Sequence, residues 1–318
     1  MEPIQMNFLA GLAIFLFLSL VALEIAGRLA GLHKPLLYLR TDYGYRVEPS
    51  QDLRILGKSV YYNQQGLRAP EINLVATGGT VRILCVGDSI TNGGTVTDQA
   101  FTYPYVLGEL LKETGIEAET LNGSANGWAL ENEAGWLKAH GIFNSNFVVL
   151  QVATHDLFQR QAKSELVDLN PSFPSRAPRL AIETLVRKIV LPRLGIGPDT
   201  RDPGYAPGVY TELDVERSLR ALDQIRKLVG DAGGTLLVIP IEQPRRFEPV
   251  DELTLEAKAR LRMWAAQSNV PVIETARAME EDGGERLFRD PMHPNEKGNR
   301  TIARLVALEI ARSRTPQM

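Results

Sequence analysis

Short apolar runs alternate with helical segments from residue 81 onward, and this alternation limits the fold more than any other feature. Strands are predicted at 81–86, 117–121, 147–152, 235–241 and 270–273, and helices at 101–113, 130–140, 213–229, 251–267 and 294–312. Strands that alternate with helices form a parallel sheet, because right-handed crossovers place the helices on both of its faces. The sequence therefore predicts one α/β domain, a three-layer α/β/α sandwich with a parallel five-stranded sheet.

The alternation is interrupted at residues 159–210. A helix is predicted near 181–190, between stretches rich in Pro or Gly at 170–178 and 191–208. Insertions at the carboxyl ends of parallel strands lie over the ligand crevice. Two interpretations follow, a lid that shapes the substrate site and a surface loop without a role in binding.

The charge balance argues against nucleic acid as a partner. The 318 residues include 35 Lys and Arg against 38 Asp and Glu, which gives a net charge of -3 and no basic field for a polyanion. The acidic residues are expected on solvated helix faces, and no motif of metal-binding spacing occurs. The single cysteine, Cys85, lies in the first predicted strand and is expected in the core.

The amino terminus has an almost unbroken apolar stretch at residues 8–23. Extended to 6–26, at about 1.5 Å per residue, it matches a hydrocarbon core of roughly 30 Å. We predict a single-pass membrane anchor at residues 1–30 and a connecting region at 31–80. A cleaved signal peptide is the alternative, but no Lys or Arg precedes the stretch and no good cleavage site follows it. A buried helix fits poorly with a run that is apolar on all sides.

A serine follows the first predicted strand directly. Gly87, Asp88 and Ser89 place the Ser89 hydroxyl on a sharp turn at the carboxyl end of the sheet, where it can meet a ligand. A Gly-Asp-Ser turn that only caps a helix is the structural alternative. The G-x-S-x-G motif of α/β-hydrolases is absent, since Thr91 stands at its second glycine.

An aspartate and a histidine lie three residues apart before the last predicted helix. Asp290 can curl back to the imidazole of His293, fix its tautomer and stabilise its charged form. An Asp-Pro turn that leads into a helix is the structural alternative. Acyl transfer by a serine needs a nucleophile, a base and a group that orients the base, so the two motifs together favour a triad of Ser89, His293 and Asp290.

With these motifs in this order, the chain resembles the GDSL/SGNH hydrolase superfamily over residues 81–310. Gly87-Asp88-Ser89 matches the nucleophile block, residues 122–127 (NGSANG) resemble the second block, and residues 290–293 match the last. Residues 63–68 resemble a segment that precedes the nucleophile in membrane-anchored bacterial members. The resemblance implies that residues 81–318 form a catalytic domain of the SGNH-hydrolase, flavodoxin-like fold.

The resemblance also implies an oxyanion hole. Its donors would be the backbone N–H groups of Ser89 and Gly127 and a side chain in the third block, where the family carries asparagine and this chain has His155. An imidazole carries at least one N–H and can take that role. His155 is alternatively a rival base or a structural histidine. We prefer His293 as the base, because His155 and Asp156 would diverge on an extended segment.

The function implied by the resemblance is that of a serine esterase or acyl-ester hydrolase without a metal or organic cofactor. Its substrates would be acyl or acetyl esters of carbohydrate or lipid. An O-acyltransferase would use the same triad with an alcohol as acceptor. A degenerate, non-catalytic envelope protein that binds a glycan or a partner is the other alternative, suggested by the altered third block. The oligomeric state stays open.

Two features of the sequence give opposite predictions for the side of the membrane on which the domain lies. Arg28, Lys34, Arg40 and Arg46 all follow the apolar stretch, and by the positive-inside rule they would keep the domain in the cytoplasm. The anchored members that the chain resembles act outside the cytoplasm on envelope material. Charge counts in short loops decide less when a large domain follows, so we expect an extracytoplasmic domain.

Overall fold

A computed structural model describes residues 3–73, 78–196, 210–244, 246 and 251–314. The strands are β1 (Tyr38–Thr41), β2 (Gly44–Val47), β3 (Gln51–Ile55), β4 (Lys58–Tyr62), β5 (Val81–Gly87), β6 (Ala118–Ser124), β7 (Phe147–Ala153) and β8 (Thr235–Ile241). The helices are α1 (Pro3–Leu29), α2 (Ser89–Asn92), α3 (Tyr103–Glu113), α4 (Leu130–His140), α5 (Leu166–Leu169), α6 (Ala181–Leu185), α7 (Leu191–Arg193), α8 (Glu212–Asp231), α9 (Glu252–Gln267), α10 (Ala276–Asp282) and α11 (Glu296–Arg314).

The centre of the domain is a parallel sheet with strand order β6-β5-β7-β8. Every residue of β5 and β7 is buried, as expected for strands that are covered by helices on both faces. Cys85 lies within β5, and burial raises the pKa of its thiol to about 12. The predicted three-layer α/β/α fold is confirmed.

The sheet has four strands, so the prediction of five is wrong. The predicted fifth strand, 270–273, forms one isolated bridge between Val238 and Val272. The amide of Val238 donates to Pro271 O at 3.0 Å, and the amide of Ile273 donates to Val238 O at 2.8 Å. Pro271 has no N–H with which to extend the ladder.

Two helical layers cover the sheet, each with its own apolar cluster. On one face the cluster includes Leu137 of α4, Leu222 of α8 and Leu261 of α9. On the other face it includes Leu107 of α3 and Val306 of α11. The apolar spacing of these helices in the sequence reflects this one-sided burial.

The connecting region at 31–80 contains two antiparallel hairpins, β1-β2 and β3-β4. Their side chains Tyr38, Tyr45 and Tyr62 are buried in the same cluster as α4 and α8. Arg68 is also buried, and its guanidinium donates to Gly94 O at 2.7 Å and Thr97 O at 2.8 Å. The region is thus packed against the sheet domain and braces the loop that follows α2.

In the described part of the chain, one helical stretch, Phe8–Leu29, is long and apolar enough to be a membrane anchor or a signal sequence. The insertion contains α6, a π-helical turn at Val186–Val190, and α7. This confirms the predicted helix near 181–190. Residues 197–209, in the second Pro- and Gly-rich stretch, lie outside the described residues.

Candidate active site

The turn after β5 presents Ser89 at the carboxyl end of the sheet. Asp88 caps the four-residue helix α2, and its Oδ1 accepts the N–H of Ile90 at 2.8 Å. A side chain at Gly87 would collide with the side chains of Thr91 and Gln151, so the glycine lets these residues pack closely against the end of β5. The turn therefore both caps α2 and holds Ser89 half-buried at the end of the strand.

Ser89, His293 and Asp290 form a continuous hydrogen-bonded chain. The Oγ of Ser89 lies 2.9 Å from His293 Nε2. On the other side of the ring, Nδ1 of His293 lies 2.8 Å from Asp290 Oδ1 and 2.9 Å from Oδ2. The fold thus brings together a nucleophile candidate and a base candidate that are 204 residues apart in the sequence.

Asp290 is held in its ionised form by its own loop. Burial alone would raise the pKa of its carboxyl group, but hydrogen bonds from the backbone amides of Met292 and His293, together with the imidazole, lower the pKa below its ordinary value. The two amides donate to Oδ1 at 2.9 and 2.8 Å. An ionised Asp290 directs the Nδ1 proton of His293 toward itself, which leaves Nε2 to accept a proton from Ser89.

The loop with Gly127 is fixed by residues from distant parts of the chain. Gly127 has a φ of 73°, a left-handed conformation that favours glycine. The hydroxyl of Tyr45 donates to Asn126 O at 2.7 Å, the indole of Trp128 donates to Tyr45 O at 2.8 Å, and the amide of Gln159 donates to Gly127 O at 3.0 Å. Tyr45 and Gln159 were not predicted as site residues. For Tyr45, the available sequence signal was its place in the short strand β2.

His155 lies between two buried carboxylates. Its Nε2 is 3.1 Å from Asp88 Oδ2 and 3.3 Å from Asp156 Oδ1. The expectation that His155 and Asp156 diverge is wrong, because Thr154–Leu157 is a turn of 3-10 helix rather than extended chain. The contact between His293 and Ser89 supports His293 as the base. The oxyanion roles of Ser89, Gly127 and His155 stay predictions.

Asp88, His155 and Asp156 are also the one group in the described part of the chain whose side chains are close enough together to hold a metal ion. Ligand atoms of Asp88, His155 and Asp156 lie within 4.8 Å of one another. The other carboxylate oxygens of this group accept backbone amides, from Ile90 at 2.8 Å and from Ala153 at 2.7 Å. The donor set is therefore already used in hydrogen bonds that brace the turn under Ser89.

A third acidic residue, Glu133, is fully buried on α4 behind this cluster. Among the described residues, neither of its carboxyl oxygens has a hydrogen-bond partner. Burial, followed by repulsion from Asp156 and Asp88, raises the pKa of Glu133 well above its ordinary value. The expectation that the acidic residues lie on solvated helix faces is wrong for Glu133.

Glu133→Gln is expected to stabilise the protein at alkaline pH. A carboxyl group whose pKa is raised by folding binds its proton more tightly in the folded state, so stability falls as pH rises above about 4.5. Glutamine has no proton to lose in this range, so the variant avoids this fall in stability. Its free energy of unfolding should exceed that of the wild-type chain by about 1–2 kcal/mol at pH 8 and differ little at pH 4.5. Urea unfolding at both pH values measures the difference.

The matched control is Glu109→Gln, which changes an exposed carboxylate on α3. It should alter stability equally little at both pH values. An equal effect of Glu133→Gln at pH 4.5 and pH 8 would contradict a proton held on Glu133 by burial.

Several solved structures are similar to this chain at low identity. The lipase/acylhydrolase from Enterococcus faecalis is 15% identical, with a TM-score of 0.47 over 75% of this chain and 99% of that chain. A member of the lipolytic G-D-S-L family from Veillonella parvula is 17% identical, with a TM-score of 0.46 over 74% and 100%. An acetyl xylan esterase is 16% identical, with a TM-score of 0.45 over 72% and 100%. No curated protein matches the chain.

The family model of the GDSL-like lipase/acylhydrolase family matches residues 85–301. This match covers more than half of the 318 residues and includes both the turn with Ser89 and the loop with Asp290 and His293. The chain is an ester hydrolase and belongs to the GDSL-like lipase/acylhydrolase family.

Proposed function

We propose that the protein is a membrane-anchored serine esterase whose triad is Ser89, His293 and Asp290. The observation that carries the proposal is the pair of contacts made by His293, 2.9 Å to the Ser89 hydroxyl and 2.8 Å to the Asp290 carboxylate. A nucleophile, a base and an orienting anion in this order are what acyl transfer by serine requires. A protein that only binds glycans has no chemical need for such a chain.

In the first half of the reaction, Ser89 Oγ attacks the ester carbonyl carbon and its proton passes to His293 Nε2. The resulting oxyanion accepts the backbone N–H groups of Ser89 and Gly127, and His155 supplies a further N–H. The intermediate then collapses, and the leaving alcohol takes the proton from His293. Asp290 stays ionised throughout and stabilises the imidazolium.

In the second half, water attacks the acyl group on Ser89 and gives a proton to His293. Collapse of this intermediate releases the carboxylic acid, and Ser89 recovers its proton from His293. The steps need no metal and no organic cofactor. We propose acyl or acetyl esters of carbohydrate or lipid as the substrate class, supported by the family to which the chain belongs.

The proposal places α1 in a membrane and the catalytic domain outside the cytoplasm. The length and apolar character of Phe8–Leu29, whose residues 8–23 are all exposed, support the anchor. The resemblance to anchored members that act on envelope material supports the side. Substrates at the membrane surface would then be within reach of the domain.

A serine-directed fluorophosphonate tests the nucleophile. The full chain in detergent micelles is treated with the reagent, and its intact mass is measured. We expect one adduct on the wild-type chain and none on Ser89→Ala or His293→Ala, because the hydroxyl needs its base to react. Heat-denatured wild-type protein is the control and should stay unmodified. Labelling of Ser89→Ala to the same extent, or none of the folded wild-type chain, would overturn the proposed triad.

A further inference from the structure

The insertion exposes a row of apolar side chains that the fold leaves uncovered. Each of these side chains is more than a third exposed: Leu180, Val186, Ile189, Val190, Leu194 and Ile196. Val186, Ile189 and Val190 are all exposed on the π-helical turn, and Val186 and Val190 are neighbours on its successive turns. A contiguous apolar face of this kind marks a contact surface rather than ordinary solvent exposure.

This segment is attached directly to the end of the apolar helix α1. The carboxylate of Glu24 accepts the backbone amides of Ala181 and Ile182, both at 3.0 Å. The guanidinium of Arg28 donates to Arg179 O at 2.8 Å. A Cβ placed on Gly27 would lie 2.8 Å from Ala181 Cβ, so the two helices meet where a glycine permits close approach. The apolar face therefore begins where the predicted membrane span ends.

The same segment carries cations beside its apolar face. A cavity of about 560 Å³ is lined by the cationic side chains of Arg176, Arg179, Arg187 and Lys188 and by the acidic Asp168 and Glu183. Glu183 pairs with Arg187 at 2.9 Å, which still leaves an excess of positive charge. Apolar residues on one face and Lys or Arg on another are the composition of helices that lie in the plane of a membrane interface.

We propose that residues 180–196 lie in the interface of the membrane that α1 crosses. Val186, Ile189 and Val190 enter the boundary between headgroups and acyl chains, and Arg187 and Lys188 meet the lipid phosphates. The inference rests on the proposed anchoring by α1. Lipid is the occupant because the exposed face is continuous with α1, whose apolar surface is itself unburied. With two attachments, the catalytic domain is held at a fixed tilt above the bilayer.

Depth-dependent quenching tests this placement in the full chain. Single cysteines replace Ile189, Val190, Phe15 or Leu308, each is labelled with an environment-sensitive fluorophore, and the chain is reconstituted into phosphatidylcholine–phosphatidylglycerol vesicles. The vesicles contain lipids brominated either near the headgroup or in the middle of the chain. The unsubstituted protein is the labelling blank, because Cys85 is buried.

We expect headgroup-proximal bromines to quench Ile189→Cys and Val190→Cys most strongly. Mid-chain bromines should quench Phe15→Cys most strongly, and Leu308→Cys, on the exposed face of α11 in the opposite helical layer, should be quenched by neither. If Phe15→Cys is quenched while the insertion cysteines behave like Leu308→Cys, the interfacial placement is wrong and the anchor stands. If Phe15→Cys escapes quenching, the anchor fails and the inference fails with it. Mutual crosslinking of Ile189→Cys chains without lipid quenching would also overturn it, in favour of a second copy as occupant.

Discussion

Ser89→Ala and His293→Ala are each expected to lower kcat for ester hydrolysis by about 10⁴- to 10⁶-fold. The double variant should lose no more than either single variant. The reason is geometric, since Ser89 Oγ and His293 Nε2 share one hydrogen bond of 2.9 Å and neither group can act without the other. Steady-state rates with p-nitrophenyl acetate, corrected for background hydrolysis, measure all three losses.

The control for these variants is Ser268→Ala, which removes a hydroxyl at the carboxyl end of α9. Its kcat should equal that of the wild-type chain. Circular dichroism of each variant verifies that the fold is retained. Losses that multiply in the double variant would show that Ser89 and His293 act independently, and the triad would then be incorrect.

The sequence sufficed to predict that Ser89, Asp290 and His293 lie together, because its signals are local. A buried strand followed at once by Gly87-Asp88-Ser89 determines where the serine lies, and three residues determine how Asp290 meets His293. The fold then joins the two, because the loop that leads into α11 meets the turn at the carboxyl end of β5. No long-range contact had to be known to place either motif.

The fifth strand was overpredicted for the opposite reason. Residues 270–273 have the composition of a buried strand. Whether such a segment joins the sheet, however, depends on the hydrogen bonds that it can form with the edge strand beside it. Pro271 contributes a carbonyl to Val238 and has no amide to donate, so pairing stops after one bridge. A prediction from apolar composition alone does not take this missing N–H group into account.

The residues that hold the site in place could not be predicted from the sequence, because they act through tertiary contacts. Tyr45 reaches Asn126 across 81 residues, and Arg68 braces the loop at Gly94 and Thr97 from a segment that reads as a connector. Glu133 gives no sign in the sequence that its carboxyl group is buried. Such residues are found from packing and hydrogen-bond geometry, since pattern and propensity carry no information on distant partners.

His155→Ala is expected to lower both the reaction rate and the stability. Loss of one oxyanion donor lowers kcat by about 10²- to 10³-fold. Loss of the Nε2 donor leaves the buried carboxylates of Asp88 and Asp156 without the partner that now lies 3.1 and 3.3 Å away, at a cost of about 3–5 kcal/mol in the free energy of unfolding. Kinetics and urea unfolding of the full chain measure the two effects separately.

Two further variants separate these roles, because the amide nitrogen of asparagine lies near the Nδ1 position of histidine and that of glutamine near the Nε2 position. If both ring nitrogens of His155 carry protons, so that Nε2 donates to the carboxylates and Nδ1 to the oxyanion, His155→Gln should recover stability without rate, and His155→Asn should recover rate without stability. The asparagine variant also recreates the third block of the family that this chain resembles. A glutamine variant with full activity, beside an asparagine variant as slow as His155→Ala, would show that His155 only braces the turn and that the oxyanion hole has two backbone donors.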